Sequence, residues 1–150
     1  MQLVKTKNSS IIVIDDDMEM QSLLKDFLVN AGNRVRTFGT ADQAFSFIKE
    51  NATESVDLII SDINMPGMDG LSFVEKMKPL FPDTPIILIT AFGSISSAID
   101  AVRRGAYDYI VKPFKLAEIA VTVDRAIDYR KLSRDNQVLR TEVSRQWTLG

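Results

Sequence analysis

The stretch Ile11-Ile12-Val13-Ile14-Asp15-Asp16-Asp17 joins a β-branched apolar run to three consecutive carboxylates. A run of this kind is typical of a strand that is buried on both faces of a parallel sheet. It is far too short to cross a bilayer. We therefore expect a central strand whose carboxyl end carries negative charge.

Strand-like runs and amphipathic, helix-like stretches alternate along the rest of the chain. The predicted strands are Ile11–Ile14, Arg34–Phe38, Val56–Ile60, Pro85–Thr90 and Tyr107–Val111. The predicted helices are Met18–Ala31, Ala41–Glu50, Leu71–Met77, Ser94–Arg104 and a last helix from Leu116 through at least Tyr129. Five strands alternating with five helices indicate βαβ units. The predicted fold class is α/β, a (βα)5 doubly wound five-stranded parallel sheet.

Composition narrows the chemistry that the chain can perform. Its 150 residues favour one domain, and 45% apolar residues with a formal charge of -2 are ordinary for a globular protein. The sequence has no cysteine and no histidine. Disulfides, thiolate or imidazole metal sites, histidine acid–base catalysis and phosphohistidine are therefore excluded. We find no signal-peptide or membrane-spanning pattern and expect a cytoplasmic protein.

Polar residues gather where the predicted parallel strands end. Asp15, Asp16 and Asp17 follow the first strand, Asp62 the third, Thr90 the fourth and Lys112 the fifth. Ligands of open parallel sheets bind at this edge. Clustered carboxylates repel one another unless a cation neutralises them, and Mg²⁺ is the divalent ion that suits oxygen ligands and phosphate. The sequence therefore predicts a Mg²⁺ site here.

Three polar residues, one of them in this strand-end group, have a purely structural interpretation. Asp17, Thr40 and Asp69 each stand just before a predicted helix, where a side-chain oxygen caps the first backbone N–H groups. We expect all three to be helix caps. One cap cannot account for Asp15, Asp16 and Asp62 together, because these residues follow two different strands.

Four motifs resemble the receiver domain of two-component response regulators. They are Ile14-Asp15-Asp16-Asp17, Ser61-Asp62-Ile63-Asn64-Met65-Pro66-Gly67-Met68-Asp69-Gly70, Ile89-Thr90-Ala91 and Asp108-Tyr109-Ile110-Val111-Lys112-Pro113-Phe114. The resemblance covers residues 9 to 130 and keeps the motifs in order. It implies a flavodoxin-like fold and a sensor histidine kinase as the phosphoryl donor. It also implies slow autodephosphorylation rather than turnover catalysis.

The resemblance also implies a role for each matching residue. Asp62 matches the phospho-acceptor, and the implied Mg²⁺ site consists of Asp15, Asp16, Asp62 and the backbone carbonyl of Asn64. Lys112 matches the lysine that takes part in phosphoryl transfer. Thr90 matches the switch hydroxyl and Tyr109 the switch aromatic. Phosphorylation would then change the surface formed by the fourth helix, fifth strand and fifth helix.

The end of the chain resembles the NtrC-type branch of this family, through Gly105–Tyr109 and the basic segment Arg130–Asn136. In that branch the receiver controls an ATPase domain that acts on sigma-54 polymerase. No Gly-rich phosphate loop of that type occurs here. We therefore interpret residues 9–128 as the receiver and 129–150 as a helical linker toward a missing output domain. We expect this fragment to contact neither nucleic acid nor membrane.

A heptad pattern in the linker predicts self-association. Leu132, Asn136, Leu139, Val143 and Gln146 are spaced alternately by four and three residues. Such spacing is typical of a coiled-coil seam. We expect a homodimer through this linker, through the face of the fourth helix, fifth strand and fifth helix, or through both.

Three other functions remain as alternatives. A stand-alone receiver acting by protein binding would share every motif. A phosphohydrolase of the haloacid-dehalogenase type would need a hydroxyl residue or valine where Glu19 stands. A flavodoxin-like electron carrier would need a Ser/Thr-rich phosphate loop after the first strand, which is missing.

Overall fold

The computed structural model describes residues 8–51, 55–91, 93 and 95–149, with Ile95 and residues 133–149 as backbone only. The strands are β1 (Ser10–Ile14), β2 (Arg34–Phe38), β3 (Leu58–Asp62), β4 (Ile86–Thr90) and β5 (Asp108–Val111). The helices are α1 (Met18–Asn30), α2 (Ala41–Glu50), α3 (Gly70–Leu80), α4 (Ile95–Arg104) and α5 (Leu116–Leu149). All strand pairs are parallel, in the order β2-β1-β3-β4-β5. The predicted fold class is confirmed.

The sheet divides the core into two layers. Ile11 and Val13 pack with α1 and α5 on one face, whereas Ile12 and Ile14 pack with α2, α3 and α4 on the other. Successive side chains of a strand point to opposite faces, so a central strand needs apolar residues at every position. This arrangement explains the unbroken β-branched run in β1.

Two elements differ from the predicted bounds by two residues or more, β3 and α3, whereas other ends differ by one residue. The predicted third strand Val56–Ile60 lies two residues too early, since β3 begins at Leu58. The preceding Asp57 uses its carboxylate to accept from the Ser10 N–H at 2.8 Å. Helix α3 continues past the predicted end at Met77, through Pro79 to Leu80. The Phe81 N–H donates to the Met77 carbonyl at 2.7 Å and so continues the helical bonding beyond the proline.

The three predicted helix caps are confirmed. The Asp17 carboxylate accepts from the Glu19 N–H at 3.0 Å, and the Asp69 carboxylate accepts from the Ser72 N–H at 2.8 Å. The Thr40 hydroxyl accepts from the Gln43 N–H at 3.2 Å. These side chains start α1, α3 and α2, so their roles are structural. Ser94, the predicted first residue of the fourth helix, lies outside the described residues.

Among the residues of α5 whose side chains are described, Arg130 contacts the rest of the protein. Its guanidinium is buried, pairs with the Asp57 carboxylate at 2.9 Å and donates to the Ser55 hydroxyl at 2.8 Å. One residue earlier, the Tyr129 ring packs on the Tyr107 ring with centroids 5.3 Å apart. These contacts orient the helix where it leaves the sheet. The heptad positions after Leu132 lie outside the residues whose side chains are described.

Within the described part of the chain, the helices contain no segment that is long and apolar enough to span a membrane.

Replacing Arg130 with Met should destabilise the fold by about 2 kcal/mol, because the half-buried Asp57 would lose a charged partner. Arg125→Met on the same helix is the matched control, since its pair with Asp108 is exposed and 3.9 Å long. We expect that change to cost at most about 1 kcal/mol. Urea unfolding measures both values, and equal losses for the two variants would contradict the anchoring role of Arg130.

Candidate functional site

The candidate site lies at the carboxyl ends of β1 and β3, where the strand order reverses. Strand β1 has β2 on one side and β3 on the other, so the loops that follow β1 and β3 lead to opposite faces of the sheet. In doubly wound sheets this point forms a crevice in which ligands bind. Asp15 and Asp16 follow β1, and Asp62 ends β3. The topology therefore brings the predicted carboxylates together.

Asp15 is almost completely buried, and both its backbone N–H and its carboxylate are hydrogen-bonded. Its N–H donates to the Phe38 carbonyl at 3.1 Å, and its Oδ1 accepts from the Asp17 N–H at 2.9 Å. Burial raises the pKa of Asp15 above its ordinary value of 3.8, and the Asp17 N–H and the Lys112 ammonium only partly oppose this rise. A cation beside Asp15 would favour its ionised form.

The Asp62 carboxylate is oriented through both of its oxygens. Oδ1 accepts from the Asn64 N–H at 3.1 Å, and Oδ2 accepts from the Lys112 ammonium at 3.2 Å. The backbone behind it is tightly packed, because a Cβ on Gly70 would lie 2.6 Å from the Asp62 carbonyl oxygen. Any larger residue at position 70 would displace the end of β3.

Lys112 joins the two buried carboxylates from the end of β5. Its ammonium lies 3.4 Å from Asp15 Oδ2 and 3.2 Å from Asp62 Oδ2. Burial alone would lower the pKa of Lys112, but the two neighbouring carboxylates outweigh it and raise the pKa above 10.5. Lys112 is therefore a permanent cation at neutral pH.

Asp15, Asp16 and Asp62 form a carboxylate cluster with the spacing of a metal site. Each residue offers one oxygen, and these oxygens lie within 4.8 Å of one another. Asp15 and Asp62 are buried, whereas Asp16 is exposed at the mouth of the site. Hard oxygen ligands at an open, partly hydrated position suit Mg²⁺. The donor set therefore fits the predicted ion.

Thr90 and Tyr109 line a common cavity together with Asn64. The Thr90 hydroxyl accepts from the Asn64 Nδ2 at 3.2 Å. A cavity of about 200 Å³ is lined by Asn64, Thr90 and Tyr109 together with residues of α3 and α4. Tyr109 is half-buried on β5. The site is thus contiguous with the surface of α4.

The structure brings the predicted site residues to one edge of the sheet and adds three that sequence reasoning missed. The amide side chain of Asn64 contacts Thr90, whereas the family resemblance implies a role only for its backbone carbonyl. The turn-like sequence around Gly70 does not indicate that this residue packs closely against the Asp62 carbonyl. Gln21 had gone unnoticed, yet its buried amide donates to the Asp15 carbonyl at 2.6 Å. No sequence motif indicates this hydrogen bond, because it joins a residue of α1 to the loop that follows β1.

Comparison with known proteins identifies the family. The family model of the response regulator receiver domain matches residues 11–124. The chain belongs to the response regulator receiver domain family. Phosphoryl acceptance is the general function of this family, and receiver domains generally bind Mg²⁺ at an acidic pocket, which here corresponds to the aspartate cluster.

Three similar proteins illustrate the relationship. The C4-dicarboxylate transport transcriptional regulatory protein DctD of Rhizobium meliloti (strain 1021) is 38% identical over 131 residues, which are 87% of this chain and 28% of DctD. The DNA-binding transcriptional regulator NtrC of Klebsiella pneumoniae is 36% identical over 117 residues, 78% of this chain and 24% of NtrC. A similar solved structure is the solution structure of the beryllofluoride-activated NtrC4 receiver domain dimer, whose sequence is 31% identical to this chain. The two structures match with a TM-score of 0.75 over 81% of this chain and 98% of the NtrC4 chain. This receiver chain thus spans about a quarter of the length of the curated relatives.

Proposed function

We propose that Asp62 accepts a phosphoryl group from a phosphohistidine of a sensor histidine kinase, in a reaction that depends on Mg²⁺. The observation that carries this proposal is the position of the Asp62 carboxylate. It lies in one cluster with Asp15 and Asp16 and contacts the Lys112 ammonium. A nucleophile, a cation and a set of metal ligands are therefore available at one point of an open edge.

The chemistry requires no general base, because an ionised carboxylate is already nucleophilic. An Asp62 oxygen forms a bond to phosphorus as the bond between phosphorus and the histidine nitrogen breaks. The electron pair of that bond stays on the imidazole of the kinase. The product is an aspartyl phosphate, so the absence of histidine from this chain is consistent with its role as acceptor.

The other site residues would stabilise the negative charge of the acceptor and of the phosphoryl group during the transfer. Lys112 can stay paired with an oxygen of the acceptor or of the incoming phosphoryl group, since its ammonium lies between Asp15 and Asp62. Asp15, Asp16, Asp62 and the Asn64 carbonyl would hold the metal. When bound, Mg²⁺ supplies positive charge against the phosphoryl oxygens. Catalysis of the transfer would therefore consist of positioning the reacting groups and stabilising their charge.

Replacing Asp62 with Asn keeps the side-chain shape and removes the nucleophile. We expect labelling by a phosphorylated kinase, or by acetyl phosphate, to be lost in this variant. Asp69→Asn is the matched control, because asparagine also caps a helix. The control should be labelled like the unmodified protein. Labelling of Asp62→Asn at the normal rate would place the acceptor elsewhere.

Thr90 and Tyr109 form the proposed switch. The phosphoryl group adds about 1.5 to 2 negative charges with strong acceptor oxygens. The Thr90 hydroxyl, which now contacts Asn64, would donate to one of these oxygens, and Tyr109 would move into the space beside it. The surface of α4, β5 and α5 would change as a result. Signal output is therefore separable from phosphoryl acceptance.

Replacing Thr90 with Ala should leave phosphorylation intact and prevent the change on α4 and β5, because the donated hydrogen bond is lost. Amide chemical shifts recorded with and without beryllofluoride, a phosphoryl mimic, measure the change. Thr84→Ala is the matched control, since it removes a buried hydroxyl just before the opposite end of β4. A complete shift pattern in Thr90→Ala would exclude Thr90 as the coupling residue.

We further propose that residues 9–128 act as the receiver of an NtrC-type transcription regulator and that residues 129–150 link it to an output domain. Helix α5 continues for many residues beyond the Arg130 anchor, and DctD and NtrC are transcription regulators by name. The output would be sigma-54-dependent activation, and the protein would then act in the cytoplasm beside the polymerase. The NtrC4 receiver is a dimer by name, which supports a homodimer here.

Sedimentation of residues 1–130 and of the whole chain tests whether the linker forms the dimer. The predicted seam Leu132–Gln146 is close to the length of about 12–15 residues below which an isolated helix is marginal, but it continues a helix already held on the sheet. We expect the whole chain to be dimeric and the shorter chain to be monomeric, each with its helical circular dichroism retained. Two monomers, or two equally strong dimers, would contradict dimerisation through the linker.

A further inference from the structure

Gln21 is a buried polar residue that the proposed chemistry does not use. It lies on α1 and is 6% exposed. Its side-chain Nε2 donates to the Asp15 carbonyl at 2.6 Å and to the Phe38 carbonyl at 3.3 Å. One amide thus joins the loop that follows β1 to the last residue of β2.

The Asp15 carbonyl belongs to the peptide unit that leads into Asp16. A donor on that oxygen fixes the plane of the peptide, and therefore the direction in which the next residue leaves the strand. The rest of the loop is also bonded, through the Asp15 N–H to the Phe38 carbonyl and through the Asp17 N–H to the Asp15 carboxylate. Gln21 completes this set from the adjacent helix.

Asn33 offers an internal comparison, because it is a buried amide at the opposite end of the sheet. Its Oδ1 accepts from the Ser9 N–H and its Nδ2 donates to the Leu28 carbonyl, both at 3.2 Å. Asn33 therefore stabilises a turn in the same way that Gln21 stabilises a loop. The loop held by Gln21 differs in one respect, since it carries two carboxylates of the metal cluster.

We infer that Gln21 is a positioning residue for the Mg²⁺ site and acts through the Asp15–Asp16 peptide. This inference rests on the proposed function. Asp16 is exposed, so its direction depends on its backbone rather than on packing of its side chain. A ligand held in advance binds metal more tightly than one that must be ordered on binding.

Replacing Gln21 with Met keeps the length of the side chain and removes both hydrogen bonds. Calorimetric titration of the full chain with MgCl2 should give a dissociation constant about 10–100-fold higher than for the unmodified protein. Asn33→Leu is the matched control, because it removes a buried amide far from the carboxylates. Both variants should melt at a lower temperature without Mg²⁺, but only Gln21→Met should lose Mg²⁺ affinity.

A second variant, Gln21→Asn, keeps an amide that is one carbon too short to reach both carbonyls. It should also weaken Mg²⁺ binding, and it covers the case in which Gln21→Met does not fold. A normal Mg²⁺ affinity in a folded Gln21 variant with a lowered melting temperature would overturn the inference and leave the proposed function intact. An equal loss of affinity in Asn33→Leu would overturn it too. Absence of Mg²⁺ binding in the unmodified protein would contradict the proposed function itself.

Discussion

The ion pairs of Lys112 with Asp15 and Asp62 connect the ends of three strands. The Lys112 ammonium, just after β5, lies 3.4 Å from the Asp15 carboxylate after β1 and 3.2 Å from the Asp62 carboxylate at the end of β3. Two carboxylates buried this close to each other repel and are costly to desolvate. The Lys112 ammonium opposes this cost, although burial still raises the pKa of Asp15 above its ordinary value. A further cation beside these carboxylates would favour their ionised forms.

The negative charge of these buried carboxylates links the stability of the protein to its proposed function. The strands behind the site consist of apolar residues packed on both faces, which supplies the stability that the carboxylates reduce. A divalent cation would complete the charge balance at this edge. An incoming phosphoryl group would then find a cation and a nucleophile in place, and the Thr90 hydroxyl on the neighbouring strand could respond to the new negative charge. On the proposed function, metal binding, phosphoryl acceptance and signalling would all depend on this one electrostatic arrangement.

Most of the fold could be predicted, because buried parallel strands and helix caps leave local patterns. The β-branched run of β1 and the cap at Asp17 are such patterns. The beginning of β3 could not be predicted, since it depends on the distant contacts of Asp57 with Ser10 and α5. The roles of Gln21 and of the Asn64 side chain were missed for the same reason. A glutamine on an amphipathic helix looks like a solvent-facing residue until the fold places a carbonyl beside it.

The most direct test of the central claim is to locate the acyl phosphate chemically. The protein is treated with acetyl phosphate with and without Mg²⁺ and then reduced with borohydride, which converts an aspartyl phosphate to homoserine. Peptide mass spectrometry should find homoserine at position 62, only when Mg²⁺ is present. Homoserine at another aspartate, or modification of Asp62 that is equally rapid in EDTA, would contradict the account.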